Sequence, residues 1–141
     1  LTMSNLEHKN AIPPHGWEEL WRAFEAFESS DQRVLVVTGA GGAFCAGGDV
    51  KGMNESHRTG KPRAGRGGGF EDQVARLRHL QRSVSLAIHE FPKPVVAVLP
   101  GAAAGAGMSI ALAADLRIAS ERAVVVTAFA NVGASGVTPT R

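Results

Sequence analysis

Two stretches of this sequence are built to present bare backbone amides. The first, Thr38-Gly39-Ala40-Gly41-Gly42, leads from Val34-Leu35-Val36-Val37 into Ala43-Phe44-Cys45-Ala46-Gly47-Gly48-Asp49. The second, Pro100-Gly101-Ala102-Ala103-Ala104-Gly105-Ala106-Gly107, leads from Val95-Val96-Ala97-Val98-Leu99 into an apolar, helix-compatible stretch reaching Leu112. Side chains this small do not screen the amides, and where such a loop opens a helix the first N–H groups have no intrahelical partner. Two strand-then-glycine-loop units can each lend one N–H to a single oxygen, and an enzyme that polarises a carbonyl needs that pair of donors. Strand, glycine loop and helix is also the generic grammar of α/β proteins, so on spacing alone the same residues read equally well as mere turns.

Two nucleotide-binding fingerprints are excluded by detail. Gly39-Ala40-Gly41 is followed at the third-glycine position by Phe44, which breaks the dinucleotide fingerprint, and neither loop ends in Gly-Lys-Ser/Thr. The composition narrows the classes further. The 141 residues, 44% hydrophobic and 20% charged, suit one soluble domain with a real core. A formal charge of +2, from 15 basic and 13 acidic side chains, is too balanced for nucleic acid and fits a partner with a few phosphates better. One cysteine excludes an internal disulfide, and the five histidines show no metal-ligand spacing, so no metal is expected. No apolar run approaches about twenty residues, and the N-terminus has no basic-then-apolar signal pattern. The reading is of a cytoplasmic protein without a membrane partner.

The elements that must hold the two loops follow from apolar spacing. Leu1-Thr2-Met3 reads as the tail of a strand, Ser4 to Asn10 as a polar turn carrying His8 and Lys9, and Pro13-Pro14 as a helix start. Trp17, Leu20, Trp21, Phe24 and Phe27 then form one apolar stripe, with Glu18, Glu19, Arg22, Glu25 and Glu28 facing away, and Ser29-Ser30-Asp31 ends the helix. Val34 to Val37 reads as a buried strand. Residues 54–69 hold five glycines and the basic Arg58, Lys61, Arg63 and Arg66 without periodicity, which predicts a mobile loop and a solvated face before a phosphate grip. From Asp72 a second amphipathic helix presents Val74, Leu77, Leu80, Val84, Ala87 and Ile88, with His79 and His89 as surface or satisfied histidines. Leu116 to Ala119 and Val124 to Val126 read as short strands, and residues 131–141 supply no closing element, so the architecture is expected to be incomplete at both ends.

With these elements placed, the sequence resembles the crotonase, or enoyl-CoA hydratase/isomerase, superfamily. The resemblance is carried by LTMSNLEHKNAI, VLVVTGAGGAFCAGGDVKGM, KPVVAVLPGAAAGAGMSIALAADLRIAS and TAFANVGASG, in the family's order over nearly the whole chain. It implies an α/β fold made of a spiral of ββα units, with residues 1–141 as a partial acyl-CoA-binding domain that lacks a C-terminal helical region. It implies an acyl-CoA thioester as substrate, with coenzyme A entering only as part of it, a place in fatty acid metabolism, and a trimer-based homo-oligomer in a full-length form. The resemblance places the two oxyanion amides on Gly48 and on Ala106 within Gly105-Ala106-Gly107. Lys51 falls near the CoA phosphates, where a lysine is a reasonable point charge, and Lys9-Asn10-Ala11-Ile12 falls along the CoA channel, with Ala46 and Gly105 beside the substrate. Without the family, Lys51 reads as an exposed loop lysine.

Asp49 follows Gly48 directly, but a carboxylate beside an oxyanion donor would oppose the developing charge, so a turn-capping role is preferred. Cys45 reads as a small buried packing residue rather than a nucleophile. The departures from the family are sharper than the matches. The two glutamates that hydratases use fall on Ser109 and Phe129, and an aspartate of other members falls on Val137. Phenylalanine carries no titratable proton, and an unactivated serine is no general base near neutral pH. Two readings therefore stand: a family member that polarises an acyl-CoA through Gly48 and Ala106, or a non-catalytic acyl-CoA-binding relative or inactive fragment.

Overall fold

Two sets of extended segments alternate along this chain, the longer runs of one set rich in Val and Leu and the other set short. The computed structural model describes residues 1–48, 71, 72, 75 and 82–130. The first set gives β1 (Thr2–Met3), β2 (Leu35–Gly39), β3 (Val95–Leu99) and β5 (Leu116–Ala119), which form a parallel sheet in the order β1-β2-β3-β5. Leu35 lies opposite Val95, and Val96 opposite Leu116. The second set gives β4 (Ala103–Ala104), which pairs in parallel with β6 (Val125–Val126). Single bridges from Ile12 to Gly48 and from Cys45 to Ala103 extend that pair. The second layer thus repeats the order of the first, and each pass of the chain contributes one segment to each.

Helices complete the passes: α1 (Gly16–Glu28), α2 (Ala87–Glu90) and α3 (Ala106–Ala113). This is the expected spiral of ββα units. The α1 stripe buries Leu20, Phe24 and Phe27, while Trp17 packs at the core margin. Lys93 docks the end of α1 onto the segment entering β3. Its Nζ donates to the carbonyls of Phe27, Glu28 and Ser30 at 3.1, 3.0 and 2.7 Å and stands 4.9 Å from the Phe27 ring centroid. A cation satisfying the last carbonyls of a helix also complements its dipole. The core itself is Phe24, Val37, Phe44, Val95, Ala97, Leu99 and Ile110.

Three expectations change. Val34 to Val37 is not a wholly buried strand: Leu35 and Val37 face the core, but Val34 and Val36 are 49% and 44% exposed, because β2 is covered on one face only. The glycine loop between β3 and α3 is not all loop, since it contains β4. The segment before β3 is not an uninterrupted α-helix, because Arg82–Leu86 is a π-helical turn running into α2. The wider turn fits an extra residue, and Ser85 is buried together with Val84 and Ile88. Val74, Leu77, Leu80 and His79 lie outside the described residues, as do the whole 54–69 stretch and residues 131–141. Among the described residues no helix is long and apolar enough to cross a membrane.

Candidate functional site

The first glycine loop returns from the sheet to the second layer. After Gly39 the chain turns through Gly41 and Gly42, at φ 68° and 83°, and enters residues 44–48 with Phe44 and Cys45 fully buried. This segment is gripped from both sides. Phe44 and Cys45 donate their N–H groups to the Ala102 carbonyl at 3.0 and 3.2 Å, and Ala104 donates to the Cys45 carbonyl at 2.9 Å. On the other side Ala46 donates to the Lys9 carbonyl at 3.0 Å, and Ile12 donates to that of Gly47 at 2.7 Å. Gly47 must be glycine twice over: its φ is 94°, and a Cβ there would lie 2.8 Å from the Ala104 carbonyl oxygen and 3.3 Å from the Ala106 nitrogen. Gly47-Gly48 and Ala104-Gly105-Ala106 therefore abut through backbone alone.

The second loop feeds α3 directly. Gly105, at φ 51°, precedes the helix and donates its N–H to the Val126 carbonyl at 3.0 Å. Inside the first turn, a Cβ on Gly107 would strike the Cys45 carbonyl oxygen and come within 2.7 Å of the Cys45 Cβ, so glycine lets the helix press onto the 44–48 segment. As the first helical residue, Ala106 has an N–H with no intrahelical partner. Among the described residues neither the Ala106 N–H nor the Gly48 N–H meets an acceptor. Gly48 is half-buried, and a Cβ built on it meets nothing within 4 Å. Two unpaired donors thus lie on abutting segments beside open space.

The structure brings Lys9, Ala11, Ala46, Gly48, Gly105, Ala106 and Ser109 to this seam between the two loops. Lys9 is exposed, in a left-handed turn at φ 51°, and Ala11 and Ala46 are half-buried. Ser109 lies one helical turn beyond Ala106, buried, with no hydrogen-bond partner for its Oγ. Phe129, partly buried after β6, offers no proton to this seam. Asp49, Lys51 and Val137 lie outside the described residues, as do Arg58, Lys61, Arg63 and Arg66. Burial pushes the Cys45 thiol up to about 11, against the smaller opposing effect of its Gly47 backbone bond, so the protonated, packed form of this residue is the stable one.

Sequence reasoning named Asn10 and Gly107 only as parts of their segments and gave neither a role of its own. Asn10 is 2% exposed, in a left-handed conformation at φ 60°; its Nδ2 donates to the Ala40 and Ala43 carbonyls at 2.8 and 2.9 Å, and its Oδ1 accepts the Asn5 N–H at 2.9 Å. It ties the N-terminal turn to the first glycine loop. An asparagine next to Lys9 before the proline pair was its available signal, since Asn tolerates this conformation and bonds nearby backbone. The signal for Gly107 was a glycine one residue inside a helix start. A cleft of about 540 Å³ runs along β1 and the start of α1, past Met3, Asn5, Ile12 and Leu20; it shares Ala11 with the seam but contains neither Gly48 nor Ala106. His15 and Glu19 line it one helical turn apart, but neither amide of the seam does, so shape alone does not mark the chemistry. Among the described residues no three His, Cys, Asp or Glu side chains are placed to hold a metal.

A sequence model described as enoyl-CoA hydratase/isomerase matches residues 1–139. The crystal structure of an enoyl-CoA hydratase from Polaromonas sp. JS666 superposes with a TM-score of 0.78 at 36% identity, covering 96% of this chain and 49% of that one. The trans-2-decenoyl-acyl-carrier-protein isomerase of Streptococcus mutans is 31% identical over 134 residues, 94% of this chain and 48% of its own length. The 1,2-epoxyphenylacetyl-CoA isomerase of Escherichia coli K12 has the same identity and coverage. The chain spans about half the length of these relatives.

Proposed function

Because the chain belongs to the enoyl-CoA hydratase/isomerase family, we propose that it binds an acyl-CoA thioester and polarises the thioester carbonyl between the N–H groups of Gly48 and Ala106. The observation that carries this reading is the pair of unpaired amides on segments held together by the Gly47 contact with Ala104 and Ala106. Preorganised donors of this kind stabilise negative charge as it develops on an oxygen, and losing one costs about 2.7–4 kcal/mol of transition-state stabilisation in well-studied cases. Polarisation makes the acyl carbons next to the carbonyl more acidic and, in an enoyl chain, the third carbon more electrophilic. Lys9 and Lys51 suit the CoA phosphates as point charges. Coenzyme A is part of the substrate, and no separate cofactor enters.

Binding and polarisation without hydration is the second reading, favoured by one observation: among the described residues no aspartate or glutamate is buried. General acid/base groups contribute about 10²–10⁴-fold each. Crotonyl-CoA hydration far below the rate of a two-glutamate hydratase would support the second reading, and a full rate would overturn it. The amide pair is tested in the full-length protein with a chromophoric enoyl- or aroyl-CoA, whose absorbance moves to the red when its carbonyl is polarised. Ala106→Pro removes one donor at a helix position that tolerates proline, and Gly48→Pro removes the other. Each should shrink the red shift while the CoA moiety stays bound. An unchanged spectrum in folded, ligand-bound variants would remove these amides from the site.

A further inference from the structure

Two successive residues of the N-terminal turn, Lys9 and Asn10, stand in the left-handed region at φ 51° and 60°. Non-glycine residues keep such a backbone only where their surroundings over-determine it, and they cluster where a site needs a fixed geometry. What holds this turn is the Asn10 side chain. Both hydrogens of its Nδ2 are used, on the Ala40 and Ala43 carbonyls at 2.8 and 2.9 Å, and its Oδ1 accepts the Asn5 N–H at 2.9 Å. The partners fix which end is nitrogen, since two carbonyls need donors and an N–H needs an acceptor. The slot exists because residue 39 has no side chain: a Cβ there would lie 2.8 Å from Nδ2 and would collide with the Ala43 and Phe44 carbonyl oxygens. With both polar atoms engaged and 2% exposure, Asn10 acts on the protein and not on a ligand.

Its reach is toward one amide of the seam and not the other. The carbonyls it holds belong to the stretch by which the chain enters residues 44–48. The turn it shapes lies along that same segment, where Ala46 donates to the Lys9 carbonyl at 3.0 Å and Ile12 to the Gly47 carbonyl at 2.7 Å. Gly48 follows at once and bridges to Ile12. The other donor is placed differently: Ala104 donates to Cys45 and Gly105 to Val126, and among the described residues neither they nor Ala106 form a backbone hydrogen bond to residues 5–12. Building on the reading that Gly48 and Ala106 share a thioester oxygen, we infer that Asn10 is the positioning residue of the Gly48 amide. It clamps the entry to the 44–48 segment and the turn beside it into one unit, and so fixes where that N–H points. A donor stabilises charge only while it is aimed, so a small rotation of this segment misaims Gly48 and leaves Ala106 in place.

The test uses the full-length protein saturated with a chromophoric enoyl-CoA, so that the red shift is read per bound ligand and a change in affinity does not enter. Asn10→Gly keeps the left-handed backbone accessible and removes the three side-chain bonds, while Asn10→Asp keeps the acceptor for Asn5 and turns a carboxylate oxygen on Ala40 and Ala43. Each should shrink the red shift to about half or less, as expected when one of two donors is misaimed. Added to Gly48→Pro, neither should shrink it further, since the donor they act on is already gone; added to Ala106→Pro, each should remove most of what remains. A full red shift in a folded Asn10 variant, or an equal further loss on both proline backgrounds, would overturn the assignment, and the acyl-CoA reading would stand as long as the proline variants alone shrink the shift. If neither proline change moves the spectrum, both fall. Failure of both Asn10 variants to fold would also overturn it, since the side chain would then support the whole fold rather than one amide.

Discussion

Gly48 and Gly107 both border the buried 44–48 segment, yet they are glycines for opposite reasons. At Gly107 a methyl group would drive into the Cys45 backbone, so the protein itself fills the space. At Gly48, among the described residues, a methyl group would meet nothing within 4 Å and the N–H beside it meets no acceptor, so this space is left open. The same residue type serves packing at one site and vacancy at the other. Glycine content alone does not distinguish the two; the atoms around each missing Cβ do.

Gly107→Ala is the strongest way to break this contrast. In an exposed helix the change would stabilise by about 1 kcal/mol, but the collision with the Cys45 carbonyl reverses the sign, and a loss of about 4 kcal/mol or more is expected from the urea midpoint. A stable Gly107→Ala protein would mean that α3 does not press on this segment. Next comes Asn10→Ala, which removes three side-chain hydrogen bonds at a left-handed residue; at about 1 kcal/mol each, a loss of about 3 kcal/mol should appear in the same measurement.

The Cys45 thiol sharpens the packing side by titration. Its ionisation is raised from 9.0 to about 11 in the fold, so the folded state keeps a proton that the unfolded chain gives up first. Stability from this group is therefore intact below pH 9 and falls as pH rises from 9 to 11, by about 2–3 kcal/mol in total. Cys45→Ala should flatten that stretch of the stability profile, and a profile identical to wild type would place the alkaline loss elsewhere. The smallest effect on the fold belongs to Gly48→Ala, whose stability should stay within about 1 kcal/mol of wild type. Its acyl-CoA affinity should nevertheless fall by about tenfold or more if the open space receives the thioester. Tight binding to a folded Gly48→Ala protein would assign that space to something else.

What could be read before folding was the part whose signals are local. The Val95 to Leu99 run stopped by Pro100-Gly101 is β3, and the Trp17 to Phe27 stripe is α1, because β-branched runs and helical periodicity are properties of a few neighbouring residues. The second layer was not legible from propensity, since Ala103, Ala104 and Cys45 are extended only because neighbouring passes of the chain pair with them. For the same reason the half-exposure of Val34 and Val36 depends on what covers β2, which no run of valines records. In the candidate site, the backbone-bearing residues Gly48, Gly105 and Ala106 were legible as loops, and folding brought them to one seam. The tethering role of Asn10 was not legible because its partners, Ala40 and Ala43, lie thirty or more residues away.

The strand order β1-β2-β3-β5 is also the order in which a ribosome delivers the strands. Among the described strands none has to be inserted between two that are already paired, so assembly can run by accretion, each pass docking on the margin left by the one before. The margin present at any moment is then the template for the next arrival. In the described residues that margin is β5, with Leu116 and Ile118 at 63% and 62% exposure, alongside β6, whose Val125 is 54% exposed. A parallel spiral of this kind has a growing front, and its apolar front is what a nascent chain would have to shield from other nascent chains.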